Sequence, residues 1–352
     1  TNSSLTASGS LTATDPDLSN TASISNISVV ASGIQEGLLS NAEALRTMLQ
    51  VVPAEVLANN TTTSQFNWNF DSGSESFDYL AVGEELVLTY TLTLTDSSGE
   101  ADTQDVVITI TGANDVPTIT FPAIDPTTLT AADVSIDTST VLGNEHATVN
   151  ATPGALIAYG KVGYNGWAFR YVPDTGILPI SNSFFGDPLR GVVKQAYPAT
   201  LINGGGSSEL GLNESIDNSA LTADGVTTIG DLDRTDLVNT TFSLAVSGTS
   251  DRADQNAPSD AELEAMLELL SANPILDGSE QSDTLTWRFN SSDHNFNYLK
   301  AGETLVLTYT ITATDDNSND PLSASEDLTI TITGTNDRPE ISAITESASL
   351  TE

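Results

Sequence analysis

The chain has 352 residues and carries 48 Asp plus Glu against 10 Lys plus Arg, for a net charge of −38. A surface this negative repels nucleic-acid phosphates and anionic lipid headgroups, which excludes sequence-independent nucleic-acid binding and attraction to anionic membranes. Without cysteine, disulfides, thiolate metal sites and cysteine nucleophiles are excluded as well, while a hydrophobic share of 38% is enough for two or three packed domains.

In chain order, LTASGSLTATDPD (5–17) opens the pattern. Ser40 and Glu43 then stand as a capping-box pair before Leu45, Met48, Leu49 and Val52, which recur at helical spacing. In FNWNFDSGSESFDYLAVGEELVLTYTLTLTD (66–96), Leu86, Leu88, Tyr90, Leu92 and Leu94 alternate with Val87 and threonines, which predicts a half-buried strand. VVITITGANDVP (106–117) supplies a last strand and a turn. After residue 212 the same series returns. LTADGVTTIGDLD (221–233), the Ser259 and Glu262 pair, LTWRFNSSDHNFNYLKAGETLVLTYTITATD (285–315) and LTITITGTNDRP (328–339) follow in that order. Trp68 and Trp287, Tyr79 and Tyr298, and Tyr90 and Tyr309 are each 219 positions apart. Two homologous modules follow from this repeat. Short strands punctuated by Gly, Asn and Asp predict a mainly β fold of tandem β-sandwich modules, each with one short helix. Trp68 and Trp287 are expected to pack in the cores.

The motifs LTASGSLTATDPD, VLTYTLTLTD and TITITGTNDRP resemble the cadherin-like repeats of bacterial RTX adhesins, often called VCBS repeats. The resemblance implies repeats at 1–117 and 213–340, an inserted domain at 118–212, and at 341–352 the first strand of a following repeat. The chain is thus expected to be a piece of a longer extracellular, cell-surface protein.

Carboxylates cluster at the strand ends of both modules. Calcium takes 6 to 8 oxygen ligands, and Asp, Asn and carbonyls on turns deliver them. Such clusters repel one another until a divalent ion neutralises them. The expected metal ligands are Asp15, Asp17, Asp96, Asp102, Asp115, Asp231, Asp233, Asp315, Asp316 and Asp337, with the ion Ca2+. The resemblance implies junction sites near Asp115 and Asp337. Affinity is expected to be on the order of 0.1 to 1 mM, as for extracellular modules. Asp315, Asn317, Asn319 and Glu326 also fall at EF-hand-like spacing, although Asp320 stands where that loop needs Gly and the flanks are strands; a solvated hairpin loop is the competing reading.

Residues 118–212 have no counterpart in either repeat and hold nine of the chain's aromatic residues with four bases. ALIAYGKV (155–162) and WAFRYV (167–172) flank an Asn-Gly pair, which predicts a tight hairpin. SNSFFGDPLRG (181–191) and NGGGSS (203–208) are expected to be long loops, where binding residues concentrate. The candidate ligand-binding residues are Tyr159, Lys161, Tyr164, Arg170, Asn182, Asp187, Arg190 and Asn203. Tyr offers a flat face and a hydroxyl, and Arg a bidentate carboxylate site. Tyr159, Tyr164 and Tyr197 are expected to be partly exposed, and Trp167, Phe169, Phe184 and Phe185 to fill the core. Arg170 and Arg190 could instead pair with Asp174 or Asp187, and Asn182, Asp187 and Asn203 could build a calcium site.

The leading expectation is an adhesin region that captures a ligand through its central domain between calcium-stiffened repeats. RTX adhesins carry ligand-binding domains among such repeats, and the position of this one resembles a peptide-binding insertion that holds a protein C-terminus. Lectin-like glycan binding and a purely structural spacer are the alternatives. Carboxylates in the insert permit a hydrolase in principle, but no spacing singles out an acid and a base, and no GxSxG or HExxH motif is present. An enzyme is therefore not expected.

Overall fold

The computed structural model describes residues 4–336 except 54, 123–133, 153–154, 174, 202–207, 215–219, 251, 255, 293 and 295. It is mainly β, as expected.

The first module contains β1 (Thr6–Thr14), β2 (Ala22–Gly33), α1 (Ala42–Met48), β3 (Leu49–Val52), β4 (Glu55–Leu57), β5 (Thr63–Asp71), β6 (Glu85–Asp96) and β7 (Ala101–Thr111). They form two sheets in the orders β1-β5-β3 and β4-β2-β6-β7. The alternation along β6 is observed as expected. Leu86, Leu88, Tyr90 and Leu92 are buried, and the threonines between them are half-exposed. They meet Phe66 and Phe70 of the facing sheet in one core.

Next come β8 (Thr118–Thr120) and a central unit of β9 (Val134–Ile136), β10 (Gly143–Asn144), β11 (Thr148–Asn150), β12 (Leu156–Gly160), β13 (Trp167–Tyr171), β14 (Ile177–Pro179), α2 (Asn182–Phe185) and β15 (Gln195–Leu201). The second module is completed by β16 (Glu209–Asn213), β17 (Thr222–Gly230), β18 (Leu237–Gly248), α3 (Asp260–Glu264), β19 (Leu267–Leu269), β20 (Leu276–Asp277), β21 (Ser282–Asn290), β22 (Thr304–Thr314) and β23 (Ser323–Thr333). Its sheets run β19-β21-β17-β8 and β16-β23-β22-β18-β20. β8 pairs antiparallel with β17, and β16 pairs parallel with β23. The two ends of segment 118–212 are therefore edge strands of the second sandwich, one in each sheet. The central unit lies where the chain passes between them. Its Val134, Leu156, Ala158, Phe169 and Ala199 belong to one core with Leu210, Leu212, Trp287 and Tyr309, so it is packed onto the second module. A smaller core of Ile157, Tyr159, Leu178, Ile180 and Phe185 lies on the other face of β12.

The helices are shorter than the apolar spacing implies. Leu49 and Val52 belong to β3, because the chain turns extended at Leu49 to pair with β5. Asn41, not Ser40, caps α1 by accepting from the Ala44 amide, and Ser40 donates to Glu75 instead. In the second module the Ser259 and Glu262 capping box forms as expected. Each short helix is tied to its sandwich by a core tyrosine. The Tyr90 hydroxyl donates to the Leu45 carbonyl at 2.8 Å, and that of Tyr309 to Leu263 at 2.6 Å. Tyr309→Phe would leave the Leu263 carbonyl with backbone amides alone, that of Met266 at 3.3 Å, and is expected to cost about 1 kcal/mol in denaturant unfolding. Trp287 is fully buried, whereas Trp68 is half-buried and lies over Gly9, where a Cβ would come within 2.6 Å of the ring.

Candidate metal centre

The boundary between the modules is built from turns of both. In the second module, the turn after β17 carries Asp231, Asp233 and Asp236, and the turn after β22 carries Asp315 and Asp316. Asx-type bonds shape both turns. Asp231 Oδ1 accepts from the Asp233 amide at 3.0 Å, and Asp315 Oδ1 accepts from the Asn317 amide at 3.0 Å. The first module contributes Glu84 and the Asn114-Asp115 pair. The Asp115 amide donates to Asp233 Oδ2 at 2.6 Å, and Asn114 Nδ2 donates to Asp315 Oδ2 at 2.9 Å. Thr235 donates to Glu84 at 3.0 Å, and Arg234 pairs with Glu36 at 2.8 Å. The modules thus meet through a direct hydrogen-bonded contact.

The carboxylates buried in this contact have no base beside them among the described residues. Asp231, Asp233, Asp236 and Asp315 are at most 9% exposed. Among the described residues, no ion pair reaches any of them. Asp231 Oδ2, Asp233 Oδ1, Asp236 Oδ2 and Asn114 Oδ1 are buried with no hydrogen-bond partner. Burying an ionised group without a partner is costly, so the group neutralises or acquires a counter-ion. Burial, reinforced by the charges of Asp236, Asp115 and Asp231, pushes Asp233 up to about 7. Burial and neighbouring carboxylates push Asp231 and Asp236 to about 6. Asp115 is also raised, by burial and then by Asp78.

These shifts set a pH dependence. Each carboxyl has a folded pKa above its unfolded one, near 3.9. The metal-free fold is therefore favoured relatively at low pH, and that contribution is lost as pH rises through about 6 to 7. The chelated chain is expected to melt several degrees lower at pH 7.5 than at pH 5.5, and calcium should reduce that difference.

Among the described residues, no group of three or more His, Cys, Asp or Glu side chains is arranged as a ready-made metal site. An ion would have to draw these carboxylates inward. The donor set nevertheless fits a hard cation, because all four orphaned atoms are oxygens.

Of the residues expected to bind metal, Asp115, Asp231, Asp233, Asp315 and Asp316 come together here. Asp15, Asp17, Asp96 and Asp102 line a cavity of about 320 Å³ at the equivalent end of the first module. There Asn20 takes the position of Asp236 and donates to Asp96 Oδ2 at 3.0 Å. Asp337 lies outside the described residues. Asp236 and Glu84 were not anticipated, although Asp231-x-Asp233-x-x-Asp236 is a visible spacing. The EF-hand-like set does not assemble, because Glu326 is an exposed residue within β23, opposite Ile311.

In the central unit, several expectations need correction. Tyr159 and Tyr197 are buried, because β12 and β15 are inner strands of their sheet. The Tyr159 ring stacks on Phe185, and its hydroxyl donates to Asn182 Oδ1 at 3.0 Å. Asn182 Nδ2 in turn donates to Glu145 Oε1 at 2.8 Å. Asp187 pairs with Lys194 at 3.0 Å, not with Arg170 or Arg190. Asn182 and Asp187 are thus engaged within the unit, and Asn203 and Asp174 lie outside the described residues. Phe169 and Phe185 are buried, with Trp167 and Phe184 packed against the cores. The hairpin ladder closes at Gly160 opposite Trp167, so six residues, 161–166, connect the strands in place of a two-residue turn. Arg170 is half-buried and donates to the Phe169 carbonyl. Lys161, Tyr164 and Arg190 are exposed.

No protein-family model and no curated protein matches the chain. Among solved structures it is similar to the collagen adhesin of S. aureus, at 12% identity over 82% of this chain and 92% of that chain, with a TM-score of 0.14. At that TM-score the likeness decides neither fold nor function. No helix among the described residues is long and apolar enough to cross a membrane.

Proposed function

We propose that this chain is a segment of an extracellular bacterial adhesin whose β-sandwich modules are locked end to end by Ca2+ and present the central unit for ligand capture. The observation that carries this reading is the set of buried carboxylates at the module boundary, with orphaned oxygens and, among the described residues, no basic partner. Asn114 from one module and Asp231, Asp233, Asp236 and Asp315 from the other would hold the ion. The ion would supply the positive charge that these side chains lack. A stiff support lowers the entropy lost when the central unit binds its partner. The favoured partner is the C-terminal peptide of a host or neighbouring-cell surface protein, bound without covalent chemistry. Glycan binding is the second reading, on the strength of the exposed Tyr164.

The test is a binding array of glycans and of peptides with free or amidated C-termini, read in millimolar calcium and in EDTA. Binding to free C-termini that disappears on amidation is the expected result. Sugar hits alone would make the central unit a lectin, and silence throughout would leave a structural spacer.

A further inference from the structure

Two loops of the central unit lie against each other at one end of its sheet. The 161–166 connection follows β12, and the 186–194 segment follows α2. They are in contact at Gly166, where a Cβ would stand 2.6 Å from Leu189 Cδ2 and 2.7 Å from the Pro188 carbonyl oxygen. The second loop is pinned from beneath. Lys194 is 1% exposed and its Nζ donates to the Leu189 and Val192 carbonyls at 3.0 and 2.6 Å. The same ammonium pairs with Asp187 at 3.0 Å and lies 3.7 Å from Glu145. A buried cation with this many acceptors fixes the loop backbone without a metal.

The two pinned loops expose apolar and cationic side chains together. Val162, Tyr164 and Val193 are 53%, 47% and 71% exposed. Lys161 Nζ lies 5.3 Å from the Tyr164 ring centroid, which keeps the ammonium and the aromatic face together. Lys161 and Arg190 are exposed and make no ion pair among the described residues. On a chain of net charge −38, two cations left unneutralised beside exposed apolar side chains are a local inversion of the surface.

We infer that this two-loop face is the recognition surface of the central unit and that it takes an acidic peptide segment bearing an apolar side chain. Carboxylates of the peptide pair with Lys161 and Arg190, and its apolar residue covers Tyr164 and Val193. The surrounding negative field repels any acidic peptide that misses this face, so register is set by charge as well as by contact. The inference rests on the capture reading and names the surface that performs it.

The experiment uses the full chain in fluorescence polarisation with labelled acidic decapeptides containing one Tyr or Leu, and with the same peptides after Asp/Glu to Asn/Gln replacement. The wild type is expected to bind the acidic set more tightly than the neutralised set, and more weakly at high salt. Lys161→Glu and Arg190→Glu are each expected to weaken binding about tenfold, while Arg46→Glu on the first module leaves it unchanged. Circular dichroism checks that each variant is folded. Acidic peptides that bind the wild type and both loop variants alike would overturn the surface and leave the capture reading standing. Wild-type protein that binds no acidic peptide would overturn the surface, while silence on the whole array of peptides and glycans would overturn the capture reading.

Discussion

Calcium is expected to raise the melting temperature of the chelated chain by several degrees, and Asp233→Asn is expected to reverse the ranking of variant and wild type between the two conditions. Without metal at pH 7.5, Asp233 is a buried carboxyl among Asp231, Asp236 and Asp115. An amide at that position keeps an acceptor for the Asp115 amide and removes the repulsion. In EDTA the variant should therefore melt above the wild type. In calcium it has one charge fewer for the ion and should melt below. With a dissociation constant on the order of 0.1 to 1 mM, 10 mM calcium adds roughly 1.4–2.7 kcal/mol. That corresponds to about 3–10 °C for a domain of this size. Differential scanning calorimetry reads both conditions, and an Asn variant below the wild type in EDTA as well would mean that Asp233 has another stabilising role.

Lys194→Met is expected to be the most damaging single change in the central unit. The substitution removes the ammonium from between Glu145 and Asp187 and strips a donor from two loop carbonyls. Glu145 also accepts from the Lys194 amide and from Asn182, so its carboxylate remains buried in a network that has lost its cation. Breaking a buried pair by deleting one member costs about 3–5 kcal/mol. The penalty should be the same in calcium and in EDTA, because the lost cation is part of the chain. Denaturant unfolding and hydrogen exchange over 186–201 measure it. A loss that calcium repairs would show that a metal, not the lysine, holds this loop.

The sandwiches were legible because each strand shows one face to a core and one to solvent, so Leu86 to Leu94 announces itself. Their partners were legible through repetition, since Trp287 and Tyr309 return in register with Trp68 and Tyr90. The central unit was harder for a physical reason. All five residues of β12 are buried, so alternation carries no information there, and Tyr159 could not be told from a surface tyrosine. Lys194 is invisible as a buried cation because its loop must first curl its own Asp187, Leu189 and Val192 around the ammonium and bring up Glu145 from a distant segment. The end strands of segment 118–212 were ambiguous because three to five residues of TIT or ELGLN suit any sheet edge. At the boundary, the Asp pairs stood out by composition. Asp236 did not, because its equivalent in the first repeat is Asn20 and the repeat therefore pointed away from a carboxylate. The capping residue shifted from Ser40 to Asn41 because Glu75 offers Ser40 a closer acceptor.

A cation that couples the two modules would fix their relative orientation. The chain has no cysteine, so Gln65→Cys in β5 and Glu268→Cys in β19 give two unique spin-label sites, one on each module. Distances between them, read by electron–electron double resonance, are predicted to be broadly distributed in EDTA and to collapse to one narrow population in calcium. The collapse should be lost when Asp231 and Asp233 are both replaced by Asn. The same distribution with and without calcium would contradict a metal-locked boundary.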